Sequence, residues 1–149
     1  MGFPGERLRA DLPGPGGPAL RLYLDASALV KRYRDESGSA QLRAAMSESD
    51  VWLTSRISYI ETAAALSRSQ VSRSRLRREW PQFDVLDLNQ DVAERAAAIA
   101  AKDDLRALDA LHLASAEVAG KRNLTVAVWD RRLWSAARRR GLEVLPESL

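Results

Sequence analysis

The chain carries, at residues 20–30, the stretch LRLYLDASALV, in which an apolar run ends at Asp25 and a helix-forming run begins directly after it. A short run rich in leucine and tyrosine is typical of a buried strand. Asp25 and Ser27 are residue types that cap the start of a helix. The stretch therefore predicts a strand that leads straight into a helix, with a carboxylate at the junction. Ligands of parallel α/β sheets bind at such junctions.

Short apolar runs continue to alternate with longer helical segments as far as the C-terminus. This alternation predicts an α/β fold with a mainly parallel sheet of four to five strands. We assign residues 20–149 to this single domain and the Pro- and Gly-rich residues 1–19 to a flexible tail. Strands are predicted at 20–24, 51–54, 83–88, 124–129 and 142–145, and helices at 27–34, 39–47, 57–69, 91–101, 107–119 and 131–140.

The composition excludes several kinds of site. The chain has 149 residues, of which 46% are hydrophobic and 29% charged, as in one ordinary globular domain. It has no cysteine and one histidine, which excludes disulfides, thiolate zinc sites, cysteine nucleophiles and multi-histidine metal sites. Any metal would be held mainly by oxygen, which favours Mg²⁺ or Mn²⁺. No long apolar run or signal segment is visible, so we expect a cytoplasmic protein without membrane contact.

Four acidic residues interrupt the apolar pattern. Asp25 and Asp130 follow predicted strands, whereas Glu61 and Asp109 lie within predicted helices among alanine and leucine neighbours. Three of them have an ordinary alternative explanation, because Asp25 and Asp130 could simply cap helices and Glu61 could face solvent. Asp109 lies in a helix that is apolar nearly all round, so its charge needs a cation or an opposite charge. Taken together, the four acids would surround one cavity at the carboxyl edge of the sheet.

Four carboxylates around one cavity require a cation or raised pKa values. Two carboxylates about 4 Å apart repel by roughly 4 kcal/mol at an effective dielectric constant near 20. A divalent ion bound through oxygen removes this repulsion, and it can activate water and stabilise the leaving oxygen of a phosphodiester. The single histidine, His112, could act as a general base, but a lone histidine in an apolar helix is more often a packed residue. The pattern favours metal-dependent phosphodiester hydrolysis.

Five motifs occur in a fixed order along the chain: LDASALVK at 24–31, ESGS at 36–39, Ile-Glu at 60–61, LRALDALHLA at 105–114 and DRRL at 130–133. Together they resemble the motifs of PIN-domain ribonucleases, and most closely those of the VapC toxins of bacterial toxin–antitoxin modules. The resemblance implies a three-layer α/β/α sandwich and an endoribonuclease that requires Mg²⁺ or Mn²⁺. It also implies a cognate VapB-type antitoxin, a homodimer and a toxin–antitoxin hetero-oligomer.

The resemblance also assigns roles to the acidic residues. Asp25, Glu61 and Asp109 would bind the metal directly or through water, and Asp130 would act at a second metal position or position the water. Ser27 would orient Asp25 through a hydrogen bond. All four acids are therefore expected to be catalytic and metal-binding.

The sequence departs from the family pattern at three places. Val128 stands where the family often has Thr or Ser, so a hydroxyl that could support Asp130 is missing. Residues 69–80 look shorter than in members with an additional helix pair there. The segment before Leu20 has no counterpart in the family.

Arginines follow two of the site motifs. Such clusters could hold an RNA backbone around an acidic centre, or they could be solvated basic faces or contacts to an acidic partner. The RNA-binding candidates are Arg73, Arg75, Arg77, Arg78, Arg131 and Arg132.

Two other functions remain open from the sequence. An aspartyl-nucleophile phosphatase also has an aspartate after its first strand, but it carries Asp-x-Asp where this chain has Asp25-Ala26-Ser27. The second alternative is a non-catalytic PIN-like module that binds RNA or an antitoxin without cleaving.

Overall fold

The first predicted strand becomes the central strand of a five-stranded sheet in the computed structural model, which describes residues 18–149. The order of the strands is β3-β2-β1-β4-β5, and all neighbouring strands are parallel. This confirms the predicted α/β class with a mainly parallel sheet. The strands are β1 (Arg21–Leu24), β2 (Val51–Ser55), β3 (Asp84–Leu86), β4 (Leu124–Ala127) and β5 (Glu143–Leu145).

Helices cover both faces of the sheet. The side chains of each strand alternate between the two faces, and the apolar side chains on each face must be buried. Leu22 and Leu24 of β1 pack into one buried cluster, while Tyr23 packs into the other. The predicted three-layer arrangement is thus confirmed. The helices of the described residues are α1 (Ala26–Tyr33), α2 (Ser39–Glu48), α3 (Arg56–Ala65), α4 (Gln70–Glu79), α5 (Gln90–Asp103), α6 (Ala107–Ala119) and α7 (Arg131–Arg139), and a 3₁₀ turn lies at Trp80–Gln82.

Helix α4 was not predicted from the sequence. It begins after Ser69, whose hydroxyl accepts a hydrogen bond from the backbone N–H of Ser72 at 3.2 Å. Leu76 is its one fully buried residue, so the segment lacks the apolar periodicity by which amphipathic helices are recognised. The segment at 69–80 therefore contains a helix, although its composition indicates only a basic cluster.

The predicted tail lies mostly outside the described residues. Ala19, at the end of that tail, is buried against the core, and the backbone N–H of Leu20 donates to Asp50 Oδ2 at 2.8 Å. Between residues 18 and 149, no helix is both long enough and apolar enough to cross a membrane.

Candidate active site

Asp25 lies at the junction between β1 and α1. Its side chain caps α1, because Oδ1 accepts hydrogen bonds from the backbone N–H of Ala28 at 2.9 Å and from the hydroxyl of Ser27 at 2.6 Å. Only 4% of the residue is exposed. Burial raises the pKa of Asp25 from 3.8 to about 6, although the positive field of His112 and the two hydrogen bonds oppose the rise. A buried carboxylate with a raised pKa is a common feature of functional sites.

The loop that carries Asp130 lies beside Asp25. Asp130 follows β4 and caps α7, since its Oδ1 accepts from the backbone N–H of Leu133 at 3.0 Å. The preceding residue, Trp129, donates its backbone N–H to Ser27 Oγ at 2.9 Å. The Ser27 hydroxyl therefore joins the two loops: it accepts from one and donates to the carboxylate of the other.

The ring of Trp129 is contacted by Lys31, at the end of the first sequence motif, and by Gly38 of the second. Lys31 Nζ lies 5.1 Å from the centre of the indole, and it donates to Glu36 Oε1 at 3.0 Å. Gly38 has a φ of +88°, and a Cβ at this position would lie 2.7 Å from the indole Nε1. The ESGS motif thus supports the Trp129 loop from the side, and only glycine fits at its third position.

Glu61 is joined to α6 by a hydrogen bond that sequence spacing could not show. Its Oε1 lies 3.0 Å from Nε2 of His112, whose other ring nitrogen, Nδ1, lies 2.9 Å from the hydroxyl of Tyr23. His112 and Tyr23 are buried, whereas 28% of the Glu61 side chain is exposed. Burial opposes protonation of His112, but the hydrogen bond to Glu61 and the charge of Asp25 outweigh it and raise the pKa of the imidazole.

Asp109 lies in the first turn of α6, one turn before His112. Partial burial raises its pKa, and the negative charge of Asp130 adds to the rise. The negative charge of Glu61 also raises the pKa of both Asp109 and Asp25. The four predicted acids therefore share one electrostatic field at the carboxyl edge of the sheet.

The donor set suits a hard cation, because all four side chains offer carboxylate oxygen. In the described part of the chain, however, no three acidic or histidine side chains converge into a ready-made metal cage. Glu61 is turned towards His112 and Asp130 is occupied as a helix cap. Each of these contacts uses one carboxylate oxygen, so a cation would bind through the other oxygen or through bridging water.

The six candidate arginines divide between two places. Arg131 and Arg132 line a cavity of about 380 Å³ beside α7, directly after Asp130. Arg73 and Arg77 line a separate groove between α3 and α4. Arg75 is bound to Glu79, and Arg78 lies exposed on the same helix.

Two further observations concern the site. Val128, where the family often has a hydroxyl, is fully buried in an apolar cluster and so contributes packing. Sequence reasoning missed Tyr23 as part of the site, because an aromatic residue in a buried strand looks like ordinary core. It also left His112 as a packed residue, which is correct for its burial but omits its bond to Glu61.

The chain is similar to known proteins over nearly all of its described length. The family model for the PIN domain matches residues 22–139. Ribonuclease VapC45 of Mycobacterium tuberculosis (strain CDC 1551 / Oshkosh) is 38% identical over 139 residues, with 86% of this chain and 96% of that protein covered.

Solved structures with low sequence identity share the fold. A toxin–antitoxin complex from Klebsiella pneumoniae has a TM-score of 0.65 at 20% identity, covering 86% of this chain and 95% of that chain. Mycobacterium tuberculosis VapC20, described as a sarcin-ricin loop cleaving toxin, has a TM-score of 0.66 at 17% identity, covering 77% of this chain and 94% of that chain.

Proposed function

We propose that this chain cleaves RNA internally with a divalent metal ion. It belongs to the PIN-domain family and, within that family, to the VapC ribonucleases. We further propose that it acts in the cytoplasm as the toxin of a toxin–antitoxin module. The observation that carries the proposal is that Asp25 is buried at the carboxyl end of β1, where burial raises its pKa to about 6 and Glu61 adds to the rise. Burial also raises the pKa of Asp109, and the charges of Asp130 and Glu61 add to it. Such shifts are frequent at functional sites, and the carboxyl edge of a parallel sheet is where ligands bind.

Asp25, Glu61 and Asp109 are the residues that would hold Mg²⁺ or Mn²⁺, directly or through water. Asp130, at the exposed rim, would serve a second metal position or position the attacking water. When bound, the metal supplies charge neutralisation of the scissile phosphate and lowers the pKa of water. Ser27 holds Asp25 in place, and burial keeps bulk water away from that carboxylate.

The nuclease proposal is tested on total RNA with mapped cleavage ends. Wild-type protein should cleave with Mg²⁺ or Mn²⁺ and stop in excess chelator. Asp25→Asn and Asp109→Asn should lose at least about 100-fold in rate, as expected when a group that stabilises the transition state is removed. Glu48→Gln is the matched control, because this exposed acid ends α2 at the opposite edge of the sheet.

Undiminished cleavage by wild type in chelator, or by Asp25→Asn, would refute the metal-nuclease proposal. RNA binding without metal-dependent products would instead support the non-catalytic alternative.

We propose that RNA approaches along the Asp130 side. Arg131 and Arg132 lie next to that acid, whereas α4 begins near the far end of α1, where the Ser72 hydroxyl donates to the Tyr33 carbonyl at 3.0 Å. Helix α1 has eight residues, so its far end is about 12 Å from Asp25. Arg131→Ala with Arg132→Ala should weaken RNA binding and reduce its salt dependence, since phosphate contacts are lost.

The matched comparison is the double replacement of Arg77 and Arg78, both exposed on α4. We expect a larger loss of RNA binding from the α7 pair. Equal losses from the two pairs would show that both clusters contact the substrate.

The partner proposal follows from family membership. We propose that a VapB-type antitoxin binds the chain and blocks the site, within a hetero-oligomer built on a toxin homodimer. The related Klebsiella pneumoniae structure is a toxin–antitoxin complex. Induction of the chain alone should arrest growth, and co-expression of a small neighbouring gene should relieve the arrest. Harmless expression of an active nuclease would argue against the toxin role.

A further inference from the structure

The single histidine of the chain is held on both of its ring nitrogens. Nδ1 lies 2.9 Å from the hydroxyl of Tyr23, and Nε2 lies 3.0 Å from Oε1 of Glu61. His112 as a residue is 3% exposed, and its ring meets the Tyr23 ring edge-on with 6.1 Å between centroids. The ring thus interacts with Tyr23 of β1 on one side and Glu61 of α3 on the other, while the backbone of His112 belongs to α6.

The two partners determine which ring nitrogen carries hydrogen. An ionised carboxylate only accepts hydrogen bonds, so Nε2 must donate to Glu61. A phenol hydroxyl can either donate or accept, so Tyr23 can satisfy Nδ1 whether or not that nitrogen carries a proton. The Nε2–H bond to Glu61 is therefore the same for the neutral and the charged ring.

This bond controls a long and partly exposed side chain. Glu61 has several rotatable bonds, and 28% of its side chain is exposed. Because the bond uses Oε1, the other oxygen, Oε2, remains available to a cation. Residues that hydrogen-bond to a ligating carboxylate typically orient it for the metal.

We propose that His112 is a positioning residue, which orients the Glu61 carboxylate through its Nε2–H while Tyr23 holds the ring. The inference rests on the proposed metal-dependent function and assigns His112 no proton transfer to substrate. It differs from a general-base role because any neutral donor placed at Nε2 should replace the imidazole.

The first test uses nitrogen NMR of ¹⁵N-labelled, metal-free protein made without a polyhistidine tag. His112 is the only histidine of the sequence, so every imidazole signal belongs to it. We expect a protonated Nε2 with a slowly exchanging proton. An unprotonated Nε2, with hydrogen on Nδ1 alone, would overturn the proposal.

The second test compares two amides at position 112. In His112→Gln the amide nitrogen reaches about as far as Nε2, whereas in His112→Asn it reaches only about as far as Nδ1. Mn²⁺ binding is measured by electron paramagnetic resonance without RNA, alongside urea unfolding of the metal-free proteins. Asn should weaken Mn²⁺ binding by about 10–100-fold, the usual loss when a supporting hydrogen bond to a metal ligand is removed, and Gln should restore most of it.

The pattern across the variants decides between roles. Equal Mn²⁺ affinity for wild type and Asn would overturn the proposal, as would equally weak binding by Gln and Asn when both are folded. If Asn does not fold, Tyr23→Phe takes its place: broadening of the Nε2–H signal with weaker Mn²⁺ binding supports the proposal, and no change in either refutes it.

These measurements are independent of nuclease activity. Mn²⁺ binding that follows the predicted order in a protein that cleaves no RNA would support the positioning role and reject the proposed nuclease function.

Discussion

Replacing Gly38 by alanine tests how tightly the second sequence motif supports the active-site loops. Its φ of +88° disfavours any residue with a Cβ, at a cost of about 1–2 kcal/mol. The new methyl carbon would also lie 2.7 Å from Nε1 and 2.9 Å from Cε2 of Trp129. Such overpacking against a rigid ring adds about 1–3 kcal/mol. We therefore expect Gly38→Ala to reduce the free energy of unfolding by about 2–5 kcal/mol.

Gly141→Ala is the matched control. Gly141 also has a positive φ, +78°, but its Cβ would meet only the end of the flexible Lys121 side chain, at 3.4 Å. We expect it to lose only the conformational part, about 1–2 kcal/mol. In thermal unfolding, each kcal/mol corresponds to about 2–4 °C for a chain of this size.

The same pair of variants reports on function. Trp129 donates its backbone N–H to Ser27, so a displaced indole should disturb the orientation of Asp25. Gly38→Ala should therefore lose RNA cleavage at temperatures where it is still folded, and Gly141→Ala should not. Equal destabilisation and equal activity of the two variants would show that the Gly38–Trp129 contact does not support the site.

Three further outcomes are expected. Asp25→Asn should stabilise the metal-free protein at neutral pH by at most about 3 kcal/mol. The reason is that burial raises the Asp25 pKa from 3.8 to about 6 and so disfavours its charged form in the folded state. Urea unfolding in the presence of chelator measures the difference. Ser27→Ala should lower stability by about 1–3 kcal/mol and weaken cleavage, since Trp129 N–H and Asp25 lose a shared partner; unchanged unfolding would contradict it. Burial raises the pKa of Glu79, but Arg32 and Arg75 outweigh burial and lower the pKa below 4.5. The stabilisation of the folded state by these ion pairs is therefore complete above about pH 5 and is lost on further acidification. Glu79→Gln should make the free energy of unfolding fall less steeply at acid pH than in wild type, and an equally steep fall would refute this.

The β1–α1 junction could be predicted because its signals are local. An apolar run and a capping aspartate lie within a few residues of one another, and Asp25 does cap α1 directly after β1. Asp130 caps α7 in the same way, while the metal-binding role of both residues stays a prediction.

The pairing of Glu61 with His112 could not be predicted from spacing. The two residues are 51 positions apart, and only the tertiary fold brings the Glu61 side chain of α3 next to the His112 side chain of α6. Helix α4 was missed for a different reason, since a helix that buries only Leu76 has almost no apolar periodicity. Two kinds of feature thus could not be predicted from this sequence: contacts between elements that are distant in the chain, and helices that are only weakly amphipathic.

The capping role of Asp25 and Asp130 has a consequence for natural variation. Asparagine caps helices about as well as aspartate, and an aspartate codon becomes an asparagine codon by one nucleotide change. A single mutation can therefore remove a carboxylate that we propose to bind metal, while α1 or α7 keeps its first hydrogen bond. Cells under growth arrest would select such changes, and the resulting chains would stay folded and keep their binding surfaces. Under the proposed function, an Asn at position 25 or 130 in a relative would thus mark a folded chain that no longer cleaves RNA but can still bind the antitoxin.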